Sequence, residues 1–158
     1  MIRTLALSGV LLALAACSHG EGFRRPDVIE FGDSTAEIER KLVGCCTELT
    51  QRRIDPPFLS NVRERQMQID CEAFLFLGGG RHVEFVIRDD RLVMVWLMVE
   101  PRETPAMIEA MTRAYGEPTG RNAAYVAFER DRAAWRFEPA EILFWAPELD
   151  ADMRPDFH

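Results

Sequence analysis

A chain of 158 residues has room for one ordinary domain and not for two. Its 47% hydrophobic and 28% charged residues exclude both a disordered chain and a multi-span membrane protein. The formal net charge is −7, and −8 once residues 1–16 with their single Arg3 are removed; this excludes a phosphate-tracking nucleic-acid surface and adhesion to anionic headgroups by charge alone.

Met1-Ile2-Arg3-Thr4 supplies a short positive start, and Leu5 to Ala16 is an apolar run. As a helix that run rises about 18 Å, short of the roughly 30 Å hydrocarbon core, so it is laid out as a secretory signal and not as a permanent span. It ends in Leu14-Ala15-Ala16-Cys17, followed by Ser18. The tetrapeptide resembles the lipobox of bacterial lipoproteins. The resemblance implies a diacylglycerol thioether on Cys17, cleavage before it and acylation of the new amine. Several acyl chains anchor stably, each buried CH₂ contributing about 0.8 kcal/mol. Ser18 in the next position looks like the pattern sorted to the outer membrane, with the domain facing the periplasm. Ala13-Leu14-Ala15 also reads as an ordinary small-x-small cleavage site, which would leave Cys17 a plain thiol.

Beyond the signal (1–16), residues 17–28 are polar, glycine-bearing and interrupted by Pro26, and read as a lipidated flexible tether. Residues 29–146 read as the single domain. The acidic end, 147–158, with Pro147 and Pro155, reads as a disordered tail.

Within the domain, Ser34-Thr35-Ala36-Glu37 is a capping box. Ile38, Leu42, Cys45 and Leu49 then follow at helical spacing, which predicts a helix over 35–49. Residues 51–65, with Pro56-Pro57 and Arg52, Arg53, Arg63 and Arg65, read as a long loop, a feature that is often functional. Met67, Ile69, Cys71, Ala73, Leu75 and Leu77 alternate as an inward-facing strand set. Gly78-Gly79-Gly80 turns the chain into a second strand marked by Val83, Phe85 and Ile87, and Asp89-Asp90-Arg91 turns it again into Leu92–Val99, apolar on both faces as a central strand is. Thr104-Pro105 opens a second helix that Gly116 stops and Pro118 keeps stopped. Three short strands follow, 124–128, 133–137 and 142–145.

The predicted fold class is therefore α+β: two αβββ units forming one antiparallel sheet with two helices packed on one face. The capped helix before a meander, Phe85…Asp89-Asp90-Arg91-Leu92 and Tyr115-Gly116-Glu117-Pro118 resemble small α/β envelope lipoproteins of the outer-membrane assembly type (SmpA/OmlA, BamE-like) and the duplicated β-lactamase-inhibitor fold.

Cys45, Cys46 and Cys71 are the richest constellation. A Cys45–Cys71 or Cys46–Cys71 disulfide would close a loop of about 26 residues and contribute on the order of 3 kcal/mol in the chain-entropy account; inert buried thiols are the alternative. A zinc or redox site wants Cys-x-x-Cys or nearby His ligands, and neither pattern occurs, so no metal ligand and no cofactor is expected. His82-x-Glu84 lies on one strand face and reads as a solvated hairpin pair. Gly78-Gly79-Gly80-Arg81 lacks the Lys-Ser/Thr of a phosphate loop. The paired acids Asp89 and Asp90, or Glu138 and Glu141, read as turn chemistry, so no catalytic residue is assigned.

Phe74 and Phe76 point opposite to the inward set, and with Trp96 and Met98 they predict an apolar strip on the face without helices, a mark of partner binding unless the loop 51–65 or the chain ends cover it. Arg52 and Arg53 are the companion candidates. The expectation is a non-enzymatic envelope lipoprotein that engages a protein partner. The alternatives are a binder of a small apolar or lipid ligand between sheet and helices, and an enzyme acting on cell-wall material.

Overall fold

Ser34 begins the first helix of the computed structural model, which describes residues 23–157. Helix α1 (Thr35–Lys41) opens with the full capping box: the Ser34 hydroxyl accepts the Glu37 N–H, and the Glu37 carboxylate accepts the Ser34 N–H at 2.9 Å. It is half the length the apolar spacing predicts. Gly44 takes a left-handed φ of +78° and turns the chain out of the helix. Ile38, Leu42 and Cys45 still reach the core, but Leu49 is exposed on a strand.

That strand, β1 (Glu48–Ile54), occupies the start of the expected loop. Its side chains are exposed through Arg53, so no apolar alternation announces it. Backbone pairing orders it instead, from Glu48↔Glu72 to Ile54↔Gln66, and the Cys46–Cys71 disulfide (Cα–Cα 5.3 Å) fastens its entry.

The remaining strands are β2 (Gln66–Phe76), β3 (Gly79–Arg88), β4 (Arg91–Met98), β5 (Gly120–Arg121), β6 (Tyr125–Phe128), β7 (Ala133–Arg136) and β8 (Glu141–Trp145), with α2 (Thr104–Tyr115) between β4 and β5. They form one antiparallel eight-stranded sheet in the order β1-β2-β3-β4-β8-β7-β6-β5. Each of α1 and α2 is thus followed by four strands, where three were expected. The two meanders meet at β4 and β8, where Trp96 pairs with Leu143.

Turn acids hold the neighbouring segments. Asp89 and Asp90 both have positive φ, as a two-residue hairpin of the twist-matched type requires. The Asp89 carboxylate accepts the backbone N–H groups of Arg63, Glu64 and Arg65, and Asp90 accepts the N–H and hydroxyl of Thr35 at the start of α1. These hydrogen bonds hold both carboxyl pKa values below the ordinary range. The loop after β1 is fixed a second time by Gln66, whose side-chain carbonyl accepts the N–H of Phe58 and Leu59.

Helices α1 and α2 bury their stripes on one face of the sheet. Ile38 of α1, its C-cap Leu42, and Met107 and Met111 of α2 pack on Ile69, Cys71, Phe85, Trp135 and Phe144. Residues 23–28 join this core and do not behave as the expected tether: Phe23 sits 5.8 Å from Phe76 and 5.7 Å from Tyr115, and Arg25 stacks over Phe31 at 4.5 Å. Their apolar side chains outweigh the polar composition that suggested a linker.

Phe74 and Phe76 are also in this core, on the face opposite to the one expected. Cys71 pairs with Val83 and Phe74 with Arg81, so Glu72 and Ala73 together oppose His82 alone. This bulge, with Ala73 at φ +57°, shifts the alternation by one residue. Leu75, expected inside, is exposed instead.

The helix-free face carries its own apolar cluster, with Val86, Met94, Ala127, Ala134, Leu143 and Trp145. The expected disordered tail covers it. Residues 147–157 wind through short turns and α3 (Asp150–Met153), burying Leu149, Met153 and Phe157 against the sheet. Polar ties lock the segment down: Asp150 accepts from Trp145 Nε1 at 3.0 Å and from Arg132 at 2.9 Å, and Ser60 donates to Asp152 at 2.7 Å. An apolar residue at every third or fourth position was the signal that the acidic composition masked.

Candidate functional site

The C-terminal segment leaves part of the helix-free face uncovered, and the polar side chains of the sheet gather there. Strand alternation puts Asp70 of β2, Glu84 of β3 and Trp96 of β4 in one cross-strand row, and Met98 of β4, Glu141 of β8 and Arg136 of β7 in the next. His82 lies two residues before Glu84 on the same face of β3.

Asp70, His82 and Glu84 each bring a side-chain N or O atom within 4.8 Å of the others. His82 is oriented by the bulge: Nδ1 meets the Glu72 carboxylate at 2.6 Å, which leaves Nε2 facing Glu84 at 3.6 Å. Asp70 accepts a hydrogen bond from Gln68 Nε2 at 2.6 Å and a longer one from Arg52 Nε at 3.3 Å. Gln68 is itself buried, so Asp70 is held from below.

Beside this group, Glu141 is only 1% exposed and forms an ion pair with Arg136. Arg136 in turn lies over the Trp96 ring, 4.4 Å from its centroid. Burial pushes the Glu141 carboxyl up to about 7, against the opposing pull of Arg136. The ladder Glu141–Arg136–Trp96 presents a planar cation stacked on an aromatic ring at the margin of an acidic patch.

Of the residues singled out in the sequence, the structure places Arg52 and Trp96 on this face. Arg53 pairs with Met67 and belongs to the other face of the exposed edge strand. Phe74 and Phe76 are core residues, not surface ones. Cys46 and Cys71 are joined, and Cys45 lies in the helix-side core. Cys17 lies outside the described residues. In the sequence alone His82-x-Glu84 reads as a solvated pair, and nothing there marks Asp70, Arg136 or Glu141 as site residues. The alternation Gln68-x-Asp70 on β2 facing His82-x-Glu84 on β3 is the signal that would have joined them, but it needs the strand register.

No protein-family model, curated protein or solved structure matches the chain.

Proposed function

We propose that the chain is an exported lipoprotein, anchored through lipid on Cys17 to the outer membrane and facing the periplasm, whose helix-free sheet face engages a protein partner without catalysis. The observation that carries this reading is the Cys46–Cys71 disulfide in a chain that opens with a lipobox-type signal. Such bonds persist in oxidising compartments outside the cytoplasm. No helix among the described residues is long and apolar enough to cross a membrane.

The partner surface is the uncovered patch around Trp96 and Arg136. Trp and Arg are the residue types that most often dominate protein interfaces, and the acids Asp70, Glu72 and Glu84 beside them favour a partner presenting Lys or Arg. The space between sheet and helices is filled by Phe74, Phe76, Phe85 and Trp135, all buried, which favours a surface function over an apolar ligand held inside. The mirrored strand order, with a helix before each meander, supports reading the two halves as copies of one unit, as in the small envelope lipoproteins and duplicated inhibitor domains that the sequence resembles.

Intact mass of the native protein, with and without reduction, tests the placement. An acylated species beginning at Cys17 that gains two hydrogens on opening Cys46–Cys71 is expected. A chain that begins at Ala16, or that keeps residues 1–16, would overturn it. For the surface, Trp96→Ala should abolish co-purification of a membrane partner while the domain melts within a few degrees of the parent; co-purification at the parent's yield would sink the assignment.

A further inference from the structure

We infer that Asp70, His82 and Glu84 form a binding site for a divalent transition-metal ion. This does not rest on the lipoprotein reading and holds in any compartment. Imidazole with two carboxylates is a ligand set suited to ions of borderline softness such as Zn2+, more than to Mg2+ or Ca2+, which favour all-oxygen shells.

The geometry is that of ligands waiting around a common centre. His82 Nδ1 is engaged by Glu72 at 2.6 Å. A ring that donates its Nδ1 proton to a carboxylate carries its lone pair on Nε2, and this carboxylate–histidine pairing is the usual outer-shell support of a metal-bound histidine. Nε2 then faces Glu84 Oε1 at 3.6 Å, too long for a hydrogen bond. Two ligands bonded to one tetrahedral Zn2+ at the usual bond lengths sit about 3.3 Å apart, so the observed spacing closes on an ion with a small movement. Asp70 completes the set from the adjoining strand, directly opposite Glu84, with Gln68 and Arg52 fixing its carboxylate.

The scaffold is rigid. All three residues project from the same face of two paired strands, and the Glu72-Ala73 bulge is what carries the supporting Glu72 alongside His82. Bulges recur beside functional sites because they re-aim a single side chain in this way. Asp70, His82 and Glu84 are 17%, 30% and 26% exposed, so an ion held here keeps its outward side open to water or to a donor from another molecule. The competing arrangement is His82 bridging Glu72 and Glu84 with no ion involved.

Calorimetric titration of the untagged full chain with Zn2+ at neutral pH separates the two. One saturable 1:1 event is expected, weakened at least about 100-fold by His82→Ala and about tenfold by Glu72→Gln, the range measured for outer-shell partners elsewhere. Glu84→Gln, which keeps shape and strand pairing, should also weaken binding while leaving the melting temperature unchanged. The imidazole carbon resonances of His82 should shift with one equivalent of Zn2+. Absence of a saturable event, or binding that His82→Ala and Glu84→Gln leave unaltered because His19 or His158 supplies it, would overturn the site.

Discussion

Phe157→Ala tests whether the end of the chain is part of the fold. Phe157 is fully buried, with its ring 5.3 Å from Trp145 and 5.4 Å from Tyr125. Truncating a buried Phe to Ala costs about 3–5 kcal/mol, from lost transfer energy and the cavity left behind. Residues 147–157 are short turns that can settle to fill part of that cavity, so the lower end of the range, about 3 kcal/mol, is expected. With an unfolding entropy of about 2.1 cal/mol/K per residue over about 135 ordered residues, that loss lowers Tm by about 10 °C. Thermal melts followed by far-ultraviolet circular dichroism measure it, and the near-ultraviolet signal should lose the contribution of an immobilised Trp145. A frayed tail would leave Tm within about 2 °C of the parent, and that result would refute the packing of residues 147–157 on the sheet.

The Cys46→Ala/Cys71→Ala double variant should lose about 3.5 kcal/mol of stability by the chain-entropy estimate for a separation of 25 residues, read from urea unfolding; an unchanged midpoint would contradict a stapling role. Glu141 has a folded pKa of about 7 against an ordinary 4.5, so between those values the folded state holds more protons than the unfolded one, and stability falls as pH rises through that window. Glu141→Gln should remove that slope, so its urea midpoint gains on the parent's between pH 5 and pH 7.5; parallel pH curves would discount the burial of the acid. Asp89→Ala releases three backbone N–H groups, so amide exchange at Arg63, Glu64 and Arg65 should accelerate while that of β3 and β4 persists, and unchanged protection would show that the loop is held without Asp89.

The features legible in the sequence were those with local chemistry. The Ser34–Glu37 capping box, the Asp89-Asp90 turn, the Gly116 stop and the period-two runs of β3 and β4 each announce themselves within a few residues. What escaped needed partners far along the chain. β1 is exposed up to a half-buried Ile54, so only its ladder to β2 makes it a strand. One inserted residue at Ala73 reversed the facing of Phe74 and Phe76, and strict alternation has no means to foresee an insertion. The acids and prolines of the final segment read as a solvated tail, while Leu149, Met153 and Phe157 carry the decisive information. The site was half visible for the same reason: His82-x-Glu84 is a local pattern, but Asp70 and Glu72 enter only through register, and Glu141 with Arg136 only through the joining of β4 to β8.

Because residues 147–157 close over Leu143 and Trp145, the second apolar cluster is complete only when that segment has docked on the sheet. A chain whose strands have paired before residues 147–157 dock presents a greasy strip on β4, β7 and β8, the kind of transiently exposed apolar surface that promotes association between partly folded molecules.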